Sequence, residues 1–198
     1  MPIDILPLLG FTFVSSITPG PNNTLLLLSG AHWGFRKSLP LMLGIPVGFS
    51  LFLFAVGMGL GKAFAAWPAL HMILKTVSVA YLLFLAWKLA RAGSPNKAEA
   101  KGAKPVSFLS AVALQWINPK AWLMAVSAMS VYVPVGEPPL LPVLAVTFVF
   151  VLVAIPALLT WFFFGTAVAR FLTNPRRVLV FNILMALLLV LSIVPILF

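Results

Sequence analysis

Two proline-broken polar interruptions inside long apolar stretches constrain this chain more than any other feature. Thr18-Pro19-Gly20-Pro21-Asn22-Asn23 falls within the first apolar run, and Asn118-Pro119-Lys120 within the fourth. A bilayer interior has no water for the backbone groups that a proline releases. A broken helix survives there only where it faces protein or lines a cavity. Paired breaks in corresponding halves of a small membrane protein point to a substrate site.

That these runs cross a membrane follows from composition. The chain has 198 residues, 62% hydrophobic and 8% charged, against roughly 25% charged in soluble domains. Such a chain cannot cover a soluble surface, and the lipid bilayer is its implied partner. The net charge of +10 does not point to nucleic acid, because the bases sit mostly between apolar runs and form no continuous stripe. With no cysteine, disulfides, thiolate chemistry and cysteine metal sites are excluded. Asp4 precedes the first run and no base does, so that run is expected to stay as a helix rather than act as a signal peptide.

A span needs about 20 mostly apolar residues, and six fit, near 5–29, 38–60, 68–90, 107–132, 140–165 and 178–197. The predicted fold is all-α and integral to the membrane. Arg36 and Lys37 fall in the first loop, Arg91, Lys97, Lys101 and Lys104 in the third, and Arg170, Arg176 and Arg177 in the fifth. Lys and Arg collect on the cytoplasmic side, which puts both termini in the periplasm. The polar stretch Ala92–Lys104 reads as a flexible linker. It divides the chain into a first three-helix repeat (1–91), a cytoplasmic basic linker (92–105) and a second three-helix repeat (106–198). Ile17-Thr18-Pro19 matches Ile117-Asn118-Pro119, and the glycine-led segment 61–67 resembles 165–171 in spacing. An odd number of helices per copy inserts the second copy upside down. The expected architecture is therefore a 3+3 inverted-topology repeat with helices one and four broken.

The first break has a specific chemistry. Proline lacks an N–H and clashes with the carbonyl four residues back, so Pro19 frees the carbonyl of Ser15 and Pro21 that of Ile17. Gly20 permits torsions closed to other residues, and Asn22 and Asn23 can cap the half-helix resuming after Pro21. That half-helix start presents N–H groups and partial positive charge. A zwitterionic amino acid needs this combination, with donors for its carboxylate and free carbonyls for its ammonium. A single proline would read as a packing kink; a run of breaking and capping residues reads as a site.

At the second break, Pro119 frees the carbonyl of Gln115 and Asn118 supplies a cap. Lys120 lies roughly 13 residues into its span, near midplane at about 1.5 Å per residue. A lysine there costs at least about 2.5 kcal/mol, and no acidic residue lies in any expected span to pair with it. It must find carbonyls, water or an anionic substrate group. Lys75, Ser78 and Tyr81 in the third helix, together with Gln115, are further candidates for a substrate path or proton coupling. Each also reads as an ordinary interhelical hydrogen-bond former. Gly44-x-x-x-Gly48 and Gly57-x-Gly59-x-Gly61 read first as close helix packing. His32 and His71 are isolated and show no ligand spacing. No metal centre, cofactor motif or soluble-enzyme motif is present, and the chain is read as a non-enzyme.

At these residues the chain resembles the LysE/RhtB family of amino-acid exporters. The resemblance is carried by TPGPNN at 18–23, Gly34-Phe35-Arg36, Gly44 and Gly48, Ala80-Tyr81-Leu82, Ala113-Leu114-Gln115 and Asn118-Pro119-Lys120-Ala121. It implies a bacterial inner-membrane secondary transporter that exports small amino acids or derivatives, of the cysteine/O-acetylserine or threonine/homoserine class, driven by the proton gradient. Carried over, the substrate site comprises Thr18, Pro19, Gly20, Pro21, Asn22, Asn23, Asn118, Pro119 and Lys120. With no carboxylate at depth, Lys120 and Lys75 are the candidate proton carriers. Metal or inorganic cation efflux and a non-transport assembly role stand as alternatives, and the sequence leaves the oligomeric state open.

Overall fold

The computed structural model describes residues 3–61, 66, 68–91, 105–134, 140–172, 174–191 and 193. The 92–104 linker, Lys62 and Glu137 lie outside these residues. Among the described residues the chain is entirely helical, with no strand. The helices are α1 (Ile5–Ile17), α2 (Pro21–His32), α3 (Gly34–Ala55, continued by a π-helical turn Val56–Leu60), α4 (Pro68–Ala90), α5 (Phe108–Ile117), α6 (Pro119–Tyr132), α7 (Leu140–Ala169) and α8 (Pro175–Leu191).

The two breaks fall where proline chemistry places them. The chain leaves α1 at Thr18 in extended conformation and re-enters a helix with Pro21 at the first position. It leaves α5 at Asn118 and resumes at Pro119. Proline at a first helical position loses nothing, since that N–H has no helical partner anyway. α1 and α2 have 13 and 12 residues, so each is about 20 Å long or less and falls short of a hydrocarbon core of about 30 Å. The continuous helices Gly34–Leu60 and Leu140–Ala169 are long and apolar enough to cross alone.

One boundary differs from the sequence reading. The expected loop before the second span is a single residue, Trp33, and Arg36 and Lys37 fall in the first turn of α3. Gly34 makes this possible by taking φ 71°, in the left-handed region open to glycine. Arg176 and Arg177 likewise fall in the first turn of α8, where Asn174 caps the backbone N–H of Arg176 at 2.9 Å.

Packing pairs α2 and α1 with α7, α3 with α5, and α4 with α8, while α3 also meets α7. Small residues set the close crossings. A Cβ added at Gly30 would strike the carbonyl oxygen of Phe162, and one at Gly165 the carbonyl oxygen of Leu27, so α2 and α7 touch through backbone. Gly44 and Gly48 do the same for α3 against α5, where a Cβ would lie 2.7 Å from the Phe108 carbonyl and 2.6 Å from Val112 Cα. The outward faces stay apolar: Leu6, Leu109, Val131, Leu141 and Phe148 are all largely exposed. A water-soluble monomer rarely shows apolar surface on this scale, whereas lipid tails cover it without cost.

These crossings make a direct stability prediction. Gly165→Ala and Gly30→Ala should each cost about 2 kcal/mol or more, because the obstruction is backbone and cannot rotate away. Gly10→Ala, with nothing within 4 Å of the new Cβ, should be neutral. Thermal unfolding of the detergent-solubilised variants measures the difference.

Candidate functional site

The two breaks meet. Lys120, in the first turn of α6, reaches back across the first break and donates from Nζ to the carbonyl of Thr18 at 2.5 Å, to Thr18 Oγ1 at 2.9 Å and to the carbonyl of Pro19 at 3.3 Å. The side chain is half-buried. These acceptors exist because the prolines stop α1: the Thr18 and Pro19 carbonyls have no helical N–H to receive. The ammonium thus finds the main-chain partners that an apolar setting otherwise denies it.

Gly20 acts differently from the sequence expectation. Its φ of −178° is ordinary extended backbone, so torsional freedom is not its contribution. A Cβ there would lie 2.7 Å from Lys120 Cδ and 3.2 Å from Nζ. Gly20 leaves the room in which the lysine stem lies across the break.

The two asparagines also take other roles than capping α2, whose N-cap is Gly20. Buried Asn23 turns back and donates from Nδ2 to the carbonyls of Ser16 at 2.9 Å and Thr18 at 2.7 Å, closing the end of α1. Asn22 pairs with Gln115 through both amide ends: Asn22 Nδ2 donates to Gln115 Oε1 at 2.8 Å, and Gln115 Nε2 donates to Asn22 Oδ1 at 3.1 Å. Gln115 is wholly buried and also donates to the Ala111 carbonyl at 2.9 Å. Asn118 does cap α6, accepting the backbone N–H of Lys120 on Oδ1 at 3.1 Å.

The freed carbonyls find partners. Thr18 Oγ1 donates to Ser15 O at 3.1 Å, and the indole N–H of Trp161 on α7 donates to Ile17 O at 3.0 Å. At the second break, Asn118 N–H turns to Gln115 O at 3.4 Å, and Trp122 Nε1 donates to Trp116 O at 2.9 Å. Fully buried Phe52 packs edge-on to both of these tryptophans, at 5.4 and 4.7 Å between ring centroids.

A cavity lies between the breaks. Gly20, Pro21, Asn22 and Asn23 from the start of α2 line it, with Asn118, Lys120 and Ala121 from the start of α6 and Ser15 and Ser16 from the end of α1. Ile45, Pro46, Phe49 and Ser50 of α3 and Phe150, Val151, Ala154 and Leu158 of α7 close the sides, with Met124 of α6. Its volume is about 50 Å³, against roughly 10–15 Å³ for one water, so a small solute is the size it suits. Two half-helix N-termini open onto it, bringing N–H groups and positive potential from two directions. No acidic or histidine side chain is among the described residues lining it.

Pro119 is buried at the first position of α6. Tyr81 is half-buried on α4 and outside the cavity lining. Lys75 and Ser78 also belong to α4, and their side chains lie outside the described residues. The sequence reading missed the hydroxyls of Ser15, Ser16 and Ser50 in the cavity wall. It read Trp161 first as an ordinary interhelical hydrogen-bond former, which its bond to Ile17 O matches, and gave Trp122 no role. The one available signal was an indole N–H inside a largely apolar helix.

A family model described as LysE type translocator matches residues 13–194. The chain belongs to the LysE type translocator family. It is 35% identical over 181 residues to the cysteine/O-acetylserine efflux protein of Escherichia coli strain K12, covering 91% of this chain and 90% of that one. The match to the same-named protein of Shigella sonnei strain Ss046 has the same extent, and that of E. coli O139:H28 is 34% identical. No solved structure matches the chain. Membership makes this LysE translocator a multi-pass inner-membrane transport protein and an exporter, not an enzyme.

The amide pair between the breaks is open to a double-mutant test. Gln115→Met should cost about 1–3 kcal/mol, the penalty of leaving the Asn22 amide unsatisfied. The double variant Asn22→Leu/Gln115→Met should recover part of that loss, giving a coupling of about 1 kcal/mol or more in unfolding experiments.

Proposed function

We propose that this translocator exports small zwitterionic amino acids and their close derivatives, of the cysteine/O-acetylserine or threonine/homoserine class, using the proton gradient. The observation carrying this reading is the cavity between the two helix breaks. It is lined by two half-helix starts and by Ser15 and Ser16 at the end of α1, and its Lys120 reaches the adjoining carbonyls of Thr18 and Pro19. The substrate carboxylate takes the N–H groups at the starts of α2 and α6. Its ammonium takes the carbonyls of Thr18 and Pro19. Phe49, Phe150, Met124 and Ala154 bound the space left for the side chain. The names of the efflux relatives agree with this substrate class.

The architecture that suits this chemistry is six spans in a 3+3 inverted repeat, with residues 1–91 and 106–198 as repeats, 92–105 as a cytoplasmic linker and both termini in the periplasm. The α1–α2 pair forms span one and the α5–α6 pair span four. Helix contacts support the symmetry: exchanging spans one and four, two and five, and three and six carries each main pairing onto another or itself. The α1–α2 pair meets α7 as the α5–α6 pair meets α3, while α3 meets α7 and α4 meets α8. Alternating access is then the rocking of one repeat against the other around a fixed site. Lys120 is the proton carrier that the described residues offer within the cavity.

Lys120→Ala should lower export by roughly 10- to 100-fold, the worth of one charged hydrogen-bonding group, with membrane insertion intact. Proteoliposomes loaded with O-acetylserine report this directly. Wild-type export that continues unchanged after the proton gradient is collapsed would contradict the proton-driven part of the reading.

A further inference from the structure

We propose that Lys120 is a tethered stand-in for the substrate's ammonium. It occupies the amine subsite when the transporter is empty, and the substrate's own ammonium displaces it on binding. This rests on the proposed zwitterion site and deepens it, because it makes a free α-ammonium the admission requirement.

The geometry carries the argument. The Lys120 ammonium sits on the Thr18 carbonyl, the Thr18 hydroxyl and the Pro19 carbonyl, three acceptors that satisfy its three protons. Those carbonyls directly precede Gly20 and Pro21, which line the cavity together with Lys120 itself, and an α-ammonium presents the same three donors. The lysine stem lies over Gly20, in space that no other residue would leave. Asn23 and Trp161 hold the neighbouring carbonyls of Ser16 and Ile17, and Asn23 also donates to the Thr18 carbonyl at 2.7 Å, which leaves that oxygen one lone pair for a cation. The acceptors that exchange partners are thus confined to Thr18 and Pro19.

Exchange solves an energetic problem of transport. Bare carbonyls in an apolar cavity would hold an ammonium too tightly to release it, since charged hydrogen bonds are worth about 1.5–3 kcal/mol each. A tethered cation that returns to the same oxygens makes entry and exit a swap of like for like. The site then binds well enough to load and weakly enough to unload, the requirement any conducting site faces. A molecule without an ammonium cannot evict the lysine and compensate the carbonyls, so it is excluded although its carboxylate fits.

The test separates this role from the simpler one in which Lys120 receives the substrate carboxylate. Lys120→Met leaves the Pro19 carbonyl open and the Thr18 carbonyl with Asn23 alone. If the lysine occupies them nine-tenths of the time, its removal should tighten O-acetylserine binding by roughly tenfold, while proteoliposome turnover falls. N-acetylserine, with the same atoms and no ammonium, should gain nothing. Gly20→Ala, which pushes the lysine off the carbonyls and keeps its charge, should also tighten O-acetylserine binding. Calorimetry on the purified variants gives the affinities, and the unfolding temperature shows that each is folded. Weaker binding of both compounds to Lys120→Met would overturn the proposal and make the lysine a carboxylate receptor. Wild-type chain that exports no amino acid would instead defeat the underlying transport reading and leave the affinity comparison to stand by itself.

Discussion

The structure depends on how main-chain carbonyls released by proline are satisfied within an apolar bundle. In water a broken helix is cheap. Among helices whose outer faces are Leu, Val and Phe, each orphaned carbonyl costs several kcal/mol. Here the carbonyls of Ser15, Ser16, Ile17, Thr18 and Pro19 meet a threonine hydroxyl, an asparagine amide, an indole and the Lys120 ammonium. The same contacts that make the break tolerable bring α6 and α7 against it. Compensation and site-building are one event.

This explains why the cavity has its electrostatic character without any carboxylate. The positive side is made by the starts of α2 and α6, and the negative side by the end of α1. These are backbone partial charges fixed in direction by the fold. A zwitterion is matched by the ends of helices, and side chains are left to tune size and access. The close glycine crossings of α2 on α7 and of α3 on α5 keep those ends in register, because backbone-to-backbone contact leaves little slack.

Much of this was legible in the chain. Prolines at 19, 21 and 119 mark the breaks to within a residue, since the clash they impose is local. The membrane setting followed from composition, and the Asn118 cap from its place before Pro119. What remained hidden was long-range. Nothing local says that Asn22 pairs with Gln115, 93 residues on, or that Trp161 reaches Ile17, 144 residues back. Gly20 was misread for the same reason. Its torsions are ordinary, and the demand for a missing Cβ comes from a lysine a hundred residues away in sequence. The single-residue link at Trp33 was missed because Arg36 and Lys37 look like a loop, yet they fit a first helical turn once Gly34 makes the bend.

The central claim is that substrate occupies the space between the two breaks. The natural chain has no cysteine, so one introduced thiol reports one place. Ser50→Cys puts it in the cavity wall, and Arg170→Cys puts it on the exposed end of α7. Alkylation by a small maleimide should slow at position 50 when O-acetylserine is added and stay unchanged at position 170. Equal labelling at position 50 with and without O-acetylserine, in a variant that still exports it, would place the transport path elsewhere and contradict the account.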